Sequence, residues 1–199
     1  MKIICIGKNY LDHTKEMQAE PENSPVFFLK ADSCLQKGHN PFFIPDFSHN
    51  IHYEIEIVLR IGKLGRSIQE KFAPRYYDAL SVGIDFTARD LQQQCKEKGL
   101  PWEISKSFDQ SAWTGIWKDP GDLKANKNLN FWLKKNNQTV QSGFTHDMIF
   151  SPEKIIAYVS KFMTLKTGDL IFTGTPKGVG PVESGDMLTA GIENETMLK

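Results

Sequence analysis

"NIHYEIEIVLRIGK", residues 50–63, decides how the rest of the chain is read. Polar and apolar side chains alternate from His52 to Ile57, the period of a β-strand, placing Ile55 and Ile57 on one face and His52, Glu54 and Glu56 on the other. At about 3.3 Å of rise per residue, the two glutamates stand roughly 6–7 Å apart from Cα to Cα. Two readings follow. Either the strand is half-solvated with both glutamates in water, or it gathers carboxylates for a hard divalent cation, which takes oxygen ligands. His52, on the same face, reads as a hydrogen-bonded neighbour of such a site rather than a ligand.

Composition narrows the class of partner. The 199 residues are 40% hydrophobic, enough to bury a core, and one domain over residues 1–199 is expected. Lys and Arg total 24 against 24 Asp and Glu, so no overall charge draws the chain to nucleic acid or to an anionic membrane. The expected partner is a small molecule. Cys5, Cys34 and Cys95 form no CxxC pair, which argues against a thiolate zinc site or a disulfide framework and fits a reducing cytoplasm. The apolar part of "MKIICIGKNY" is too short for a signal peptide, and no apolar run reaches membrane-spanning length. A soluble cytoplasmic chain is expected.

Local patterns give an α+β class dominated by strands. "KIICIG" and "PVFFLK" read as strands, and "NYLDHTKEM" as a short helix capped by Asn9 or Asp12. The turn-rich "LQKGHNPFFIPDFSHN" reads as a loop. "RYYDALSVGIDF" carries an apolar strand ending at Asp85. "TARDLQQQCKEKG" then reads as a helix with Thr87 at its N-cap, Asp90 in the capping-box position and Gly99 as its stop. "LNFWLKKNNQTVQSGF" reads as a hairpin turning at "KNNQ", and "SPEKIIAYVSKFM" as a helix with Ser151 at the N-cap and Pro152 at N1. "GDLIFTGTPKGVGPVESGDMLTAGI" gives two strands about a glycine-rich loop.

Asp85 ends an apolar strand just before a helix, where a polar side chain points into a cleft or serves as a turn residue. Joined with Glu54 and Glu56 it would complete three oxygen ligands suited to Mg²⁺, Mn²⁺ or Ca²⁺, with water filling the shell. His13 and Glu16 are three apart on a helix, which makes them either a surface pair or half of a general-base device. Lys106 in "EISKSFD" is unremarkable by itself. "GTPKGVG" lacks the Walker arrangement; it is a flexible turn, or a set of backbone N–H groups with the Thr175 hydroxyl turned toward an anion.

Taken in order, "GKNYLDHTKEM", "HYEIEIVLRIGK", "GIDFTARDLQQQCKEKGLPWEISKSFD" and "FTGTPKGVGPV" closely resemble the fumarylacetoacetate hydrolase family, especially its small single-domain acylpyruvase branch. The resemblance spans nearly the whole chain. It implies a β-rich roll with flanking helices, a homodimer, and Mg²⁺ or Mn²⁺ held by Glu54, Glu56 and Asp85. It further implies that His13 and Glu16 activate water on a lid helix, that Lys106 lies beside the metal, and that Arg89, Gln92 and Thr175 hold a 2-oxo acid substrate.

The implied activity is hydrolysis of acylpyruvates or decarboxylation of oxaloacetate, both passing through a pyruvate enolate. Isomerisation of 2-hydroxyhepta-2,4-diene-1,7-dioate or tautomerisation of oxaloacetate would use the same groups. A noncatalytic metal-dependent binding protein is the reading from another class, and the presence of a general base argues against it. The chain departs from the family pattern in three places. Lys8 stands where many relatives carry arginine, which trades a bidentate clamp for a point charge. "FDQSAWTGIW" is expected to reshape the pocket, and the family's final strand is expected to run past "ENETMLK".

Overall fold

The computed structural model describes residues 1–36, 41–125 and 127–199; the stretch 37–40 of the expected loop lies outside them. Fourteen strands are present in the described residues: β1 (Ile3–Gly7), β2 (Val26–Lys30), β3 (Leu35–Gln36), β4 (Ile51–Tyr53), β5 (Ile55–Ile61), β6 (Tyr77–Asp85), β7 (Thr87–Ala88), β8 (Ala112–Thr114), β9 (Asn130–Lys135), β10 (Gln138–Phe144), β11 (Leu170–Phe172), β12 (Gly180–Pro181), β13 (Leu188–Ile192) and β14 (Glu195–Leu198). The helices are α1 (Leu11–Glu16), α2 (Arg89–Lys98), α3 (Glu103–Lys106), α4 (Gly121–Lys124) and α5 (Pro152–Phe162). This is the expected β-rich α+β class. No described helix is long and apolar enough to cross a membrane.

The strands form a seven-stranded sheet in the order β2-β1-β11-β5-β6-β8-β3, a four-stranded sheet β10-β9-β13-β14 and a three-stranded sheet β12-β4-β7. Both faces of the large sheet are covered. Ile4, Ile6, Ile57, Leu59 and Ile61 enter the main core, while Ile3, Cys5, Val58 and Phe172 enter a second cluster on the opposite face. Two buried faces explain the nearly continuous apolar runs of β1 and β5. They also rule out the half-solvated reading of β5, since Glu56 shares a face with Val58 and is only 2% exposed.

The single strand expected over 52–57 is broken at Glu54. On one side β4 pairs with β7 and β12 in the small sheet; on the other, β5 pairs with β6 and β11 in the large one. At the break the Ile55 N–H donates to Gln141 Oε1 at 2.9 Å, and the Glu54 carbonyl accepts from the Asp85 N–H at 2.9 Å. The neighbouring chain turns in the same place, β6 ending at Asp85 and β7 beginning at Thr87. Glu54 and Asp85 therefore stand side by side on a seam where two strands change sheet.

Capping expectations fare unevenly. Ser151 caps α5 by accepting from the Lys154 N–H, and Gly99 ends α2 at φ +62°. Asn136 and Asn137, both at positive φ, make the turn between β9 and β10. Thr87 is not an N-cap: it is locked into the β4–β7 ladder opposite His52, and Ala88 takes the cap position. Asp90 makes no capping box and instead accepts from Ser48 Oγ at 2.6 Å and from the His49 N–H at 2.9 Å. Nor does Asn9 or Asp12 cap α1; Tyr10 holds that position. The Asn9 side chain bridges the Thr173 carbonyl at 2.7 Å, the Phe150 carbonyl at 3.1 Å and the Phe150 N–H at 2.7 Å.

Candidate functional site

The seam opens into a cavity of about 350 Å³ lined by Glu54, Glu56, Asp85, Lys106, His13 and Thr175, among others. One oxygen from each of Glu54, Glu56 and Asp85 lies within 4.8 Å of the others, and all three residues are buried. Buried carboxylates demand compensation. Lys106 Nζ supplies part of it, donating to Glu54 Oε2 at 2.7 Å and to Asp85 Oδ2 at 3.0 Å. Arg89 Nη2 takes the other Glu54 oxygen at 2.6 Å, while its Nη1 donates to Gln92 Oε1 at 2.7 Å.

These contacts divide the carboxylates electrostatically. Burial alone would raise the Glu54 carboxyl, but the Lys106 and Arg89 charges outweigh it and hold the group well below the usual range. Glu56 goes the other way: burial, then the neighbouring Asp85 and Glu54 charges, push it well up, against a hydrogen bond from the Gly174 N–H. Burial disfavours the Lys106 ammonium, yet Asp85 and Glu54 more than restore it and raise its pKa. The set fits a hard divalent cation. Three converging carboxylates provide the donors, and Asp85 Oδ1 accepts no hydrogen bond although Lys30 Nζ stands 2.8 Å away.

Helix α1 lines the same cavity through His13 and Thr14. His13 Nδ1 and Glu16 Oε2 are 3.0 Å apart, with His13 buried and Glu16 at the edge. The helix rests on the glycine-rich loop, where Glu16 Oε1 accepts from the Gly178 N–H at 3.0 Å and Asp12 pairs with Lys177 at 3.0 Å. Thr175 Oγ1 accepts from Gln141 Nε2 at 2.9 Å, so the residue that closes the break at Ile55 also sets the Thr175 hydroxyl. Of the nine residues given site roles in the sequence, eight line this one cavity, and Glu16 reaches it through His13. His52 stays outside the lining, with Nε2 bonded to Asn50 Oδ1 at 2.8 Å. Burial and the Arg89 charge lower its pKa to about 4, which keeps the ring neutral near pH 7.

Among the described residues none of 108–117 lines this cavity, but "FDQSAWTGIW" supports it through Ser111, whose Oγ donates to the Lys106 carbonyl at 3.0 Å; Trp113 lines a separate apolar cavity. Arg89 and Gln92 reach the pocket engaged with each other, and the Arg89 guanidinium is turned onto Glu54.

Sequence reading missed Lys30, whose buried ammonium donates to the carbonyls of Phe86 and Ser111 at 3.2 and 3.1 Å, to the Lys106 carbonyl, and to Ser111 Oγ at 2.9 Å. It thereby ties the backbone of Lys106 to the end of β6. A lysine at the end of "PVFFLK" gives no pattern signal, because its partners are far away in sequence. Gln141 and Asn9 were missed for the same reason.

The chain matches the family described as "Fumarylacetoacetate (FAA) hydrolase C-terminal" over residues 2–199. It is 43% identical to a mitochondrial oxaloacetate tautomerase of Bos taurus over 197 residues, covering 99% of this chain and 89% of that protein. A mitochondrial oxaloacetate decarboxylase of Dictyostelium discoideum is 41% identical, with 96% and 88% covered. Among solved structures, the fumarylpyruvate hydrolase of Pseudomonas aeruginosa in complex with Mn²⁺ and pyruvate superposes with a TM-score of 0.91 at 36% identity, covering 96% of this chain and 84% of that one. Likeness of this extent, in sequence and in backbone alike, makes the protein a member of the fumarylacetoacetate hydrolase family.

Proposed function

We propose that the protein is a divalent-metal-dependent enzyme of small 2-oxo acids, cleaving acylpyruvates or decarboxylating oxaloacetate to release pyruvate. The observation that carries this reading is the meeting of three buried carboxylates, Lys106 and the His13–Glu16 pair at one cavity of about 350 Å³. Glu54, Glu56 and Asp85 would hold the ion, Mg²⁺ or Mn²⁺, whose Lewis acidity polarises a 2-oxo acid's carbonyl. The proposed catalytic domain spans residues 1–199.

The chain's own residues supply the rest. Lys106 places a permanent positive charge beside the carboxylates, where negative charge on a bound substrate would grow. Glu16 accepts from His13 Nδ1–H, which fixes the tautomer and leaves Nε2 free to take a proton. In hydrolysis that proton comes from the attacking water. Thr175 and Gln92 offer polar groups to the substrate carboxylate, and α1 lies across the cavity as the element that would exclude bulk water.

Tautomerisation of oxaloacetate is the second reading. It needs only a base able to take a proton from carbon and return it, a role His13 can fill without a hydrolytic water, and the 43% identical oxaloacetate tautomerase supports it. The experiment that tests both readings strips the protein with chelator, restores Mg²⁺ or Mn²⁺, and follows pyruvate release from acetylpyruvate and oxaloacetate together with oxaloacetate enol–keto exchange. Metal-dependent turnover of at least one substrate is expected; none with either metal would overturn the proposal.

A homodimer is the proposed assembly. Exposed Phe43 and Met187 at an apolar cavity of about 680 Å³ support it, and a monomer mass by light scattering would refute it. Three free buried cysteines support a reducing compartment such as the cytoplasm, with fractionation as the check.

A further inference from the structure

Helix α2 carries a stripe of three polar residues into the cavity. Arg89, Gln92 and Lys96 are spaced i, i+3 and i+7, so they share one helix face, and all three line the pocket. Arg89 and Lys106 are both committed to Glu54, and Lys8 pairs with Glu22 at 2.8 Å. Lys96 differs. Among the described residues it has no carboxylate at ion-pair distance, and its Nζ lies 5.8 Å from the centroid of the Trp102 ring.

Its position is also distinct. Seven residues of helix rise place Lys96 about 10 Å along α2 from Arg89, two turns beyond the residue that holds Glu54. A long helical side chain leans toward the preceding turn, which brings the ammonium back over the pocket. Trp102 and Phe28 form an aromatic wall, ring centroids 6.2 Å apart, with Lys96 against one ring and Lys106, 5.1 Å from the other centroid, against its neighbour. Two cations thus mark the two ends of one wall. The Lys96 ammonium is held below the usual lysine range, first by burial and then by the Arg89 charge, with Lys106 and Lys8 adding to it against the opposing pull of Glu54. That local excess of positive charge is what an anion placed there would relieve.

From this geometry we infer that Lys96 is a specificity residue that binds the distal carboxylate of a dicarboxylic 2-oxo acid, whose 2-oxo end lies at Glu54, Glu56, Asp85 and Lys106. The inference rests on the 2-oxo acid reading above and narrows it to dianionic substrates. A substrate with a neutral distal end leaves Lys96 without a partner and gains nothing from it.

The test compares oxaloacetate with 2-oxobutanoate, which carries a methyl group where oxaloacetate has its distal carboxylate. Calorimetric titration of each acid into Mn²⁺-treated protein should give tighter binding of oxaloacetate by about tenfold or more in the wild type, as expected for a charge-assisted hydrogen bond. Lys96→Gln should erase most of that gap and Lys96→Arg should retain it. In turnover, the ratio of kcat/KM for oxaloacetate to that for acetylpyruvate should fall about tenfold in Lys96→Gln, chiefly through KM. No gap in the wild type, a gap that survives Lys96→Gln, or no binding of either acid would overturn the inference. If the wild type shows the binding gap but turns over no substrate, the proposed function fails and this inference stands.

Discussion

Gly174 donates its backbone N–H to Glu56 Oε2 at 2.7 Å, and only glycine can do so at that point. The residue sits at φ +103°, and a Cβ there would come within 2.7 Å of the Asn9 Cβ. Gly174→Ala should therefore cost about 1–3 kcal/mol of stability. It should also weaken Mn²⁺ binding by releasing Glu56. Urea denaturation and metal titration measure the two effects, and an alanine variant with wild-type values for both would refute the account.

Lys30 is a buried cation serving several acceptors at once. Lys30→Met keeps the volume of the chain but removes the buried donor shared by the carbonyls of Phe86, Lys106 and Ser111 and leaves Asp85 with less compensation. Removing one partner from such a buried network costs about 3–5 kcal/mol. Denaturation midpoints should fall accordingly; a loss below about 1 kcal/mol, the scale of an exposed pair, would show that Lys30 is dispensable.

His13 and Glu16 can be separated from the carboxylates by mutation. His13→Ala should lower kcat by roughly 10²–10⁴, the range for loss of a general base, while Mn²⁺ affinity changes little. Glu16→Gln should fall between wild type and His13→Ala, because the imidazole stays but loses its orienting carboxylate. Unchanged turnover in His13→Ala removes the pair from the chemistry.

Asp90 sets an acid-side dependence of stability. Burial works against its charge, but hydrogen bonds from Ser48 and from the His49 and Leu91 N–H groups outweigh it and lower its pKa. A carboxyl depressed by folding stabilises the protein fully above its unfolded pKa, about 3.9, and loses that contribution as pH falls through the lower folded value. Thermal denaturation between about pH 2.5 and 7 should show a shallower acid-side slope in Asp90→Asn. An unaltered slope would mean the hydrogen bonds stabilise the neutral form equally.

Much of the site is legible in order and spacing, and much of its support is not. Glu54, Glu56, Asp85 and Lys106 sit in stretches whose succession is characteristic, and they do converge. Periodicity, however, joined 52–57 into one strand, because alternation cannot register that the ladder partners change at Glu54. Capping rules placed Thr87 and Asp90 by their local grammar, while tertiary pairing with His52 and Ser48 overrode it. The supporting groups Lys30, Asn9 and Gln141 act on backbone far away in the chain, and such partners leave no mark on the residues beside them.

Because Glu54 and Asp85 stand where neighbouring strands leave one sheet for another, an ion held by them and by Glu56 would also be a rivet between two sheets. Filling the site would then stiffen β4, β7 and β12, pieces too short to hold together on their own pairing. Amide hydrogen exchange in those three strands should slow on Mn²⁺ addition more than in β9 and β10, which lie in a different sheet.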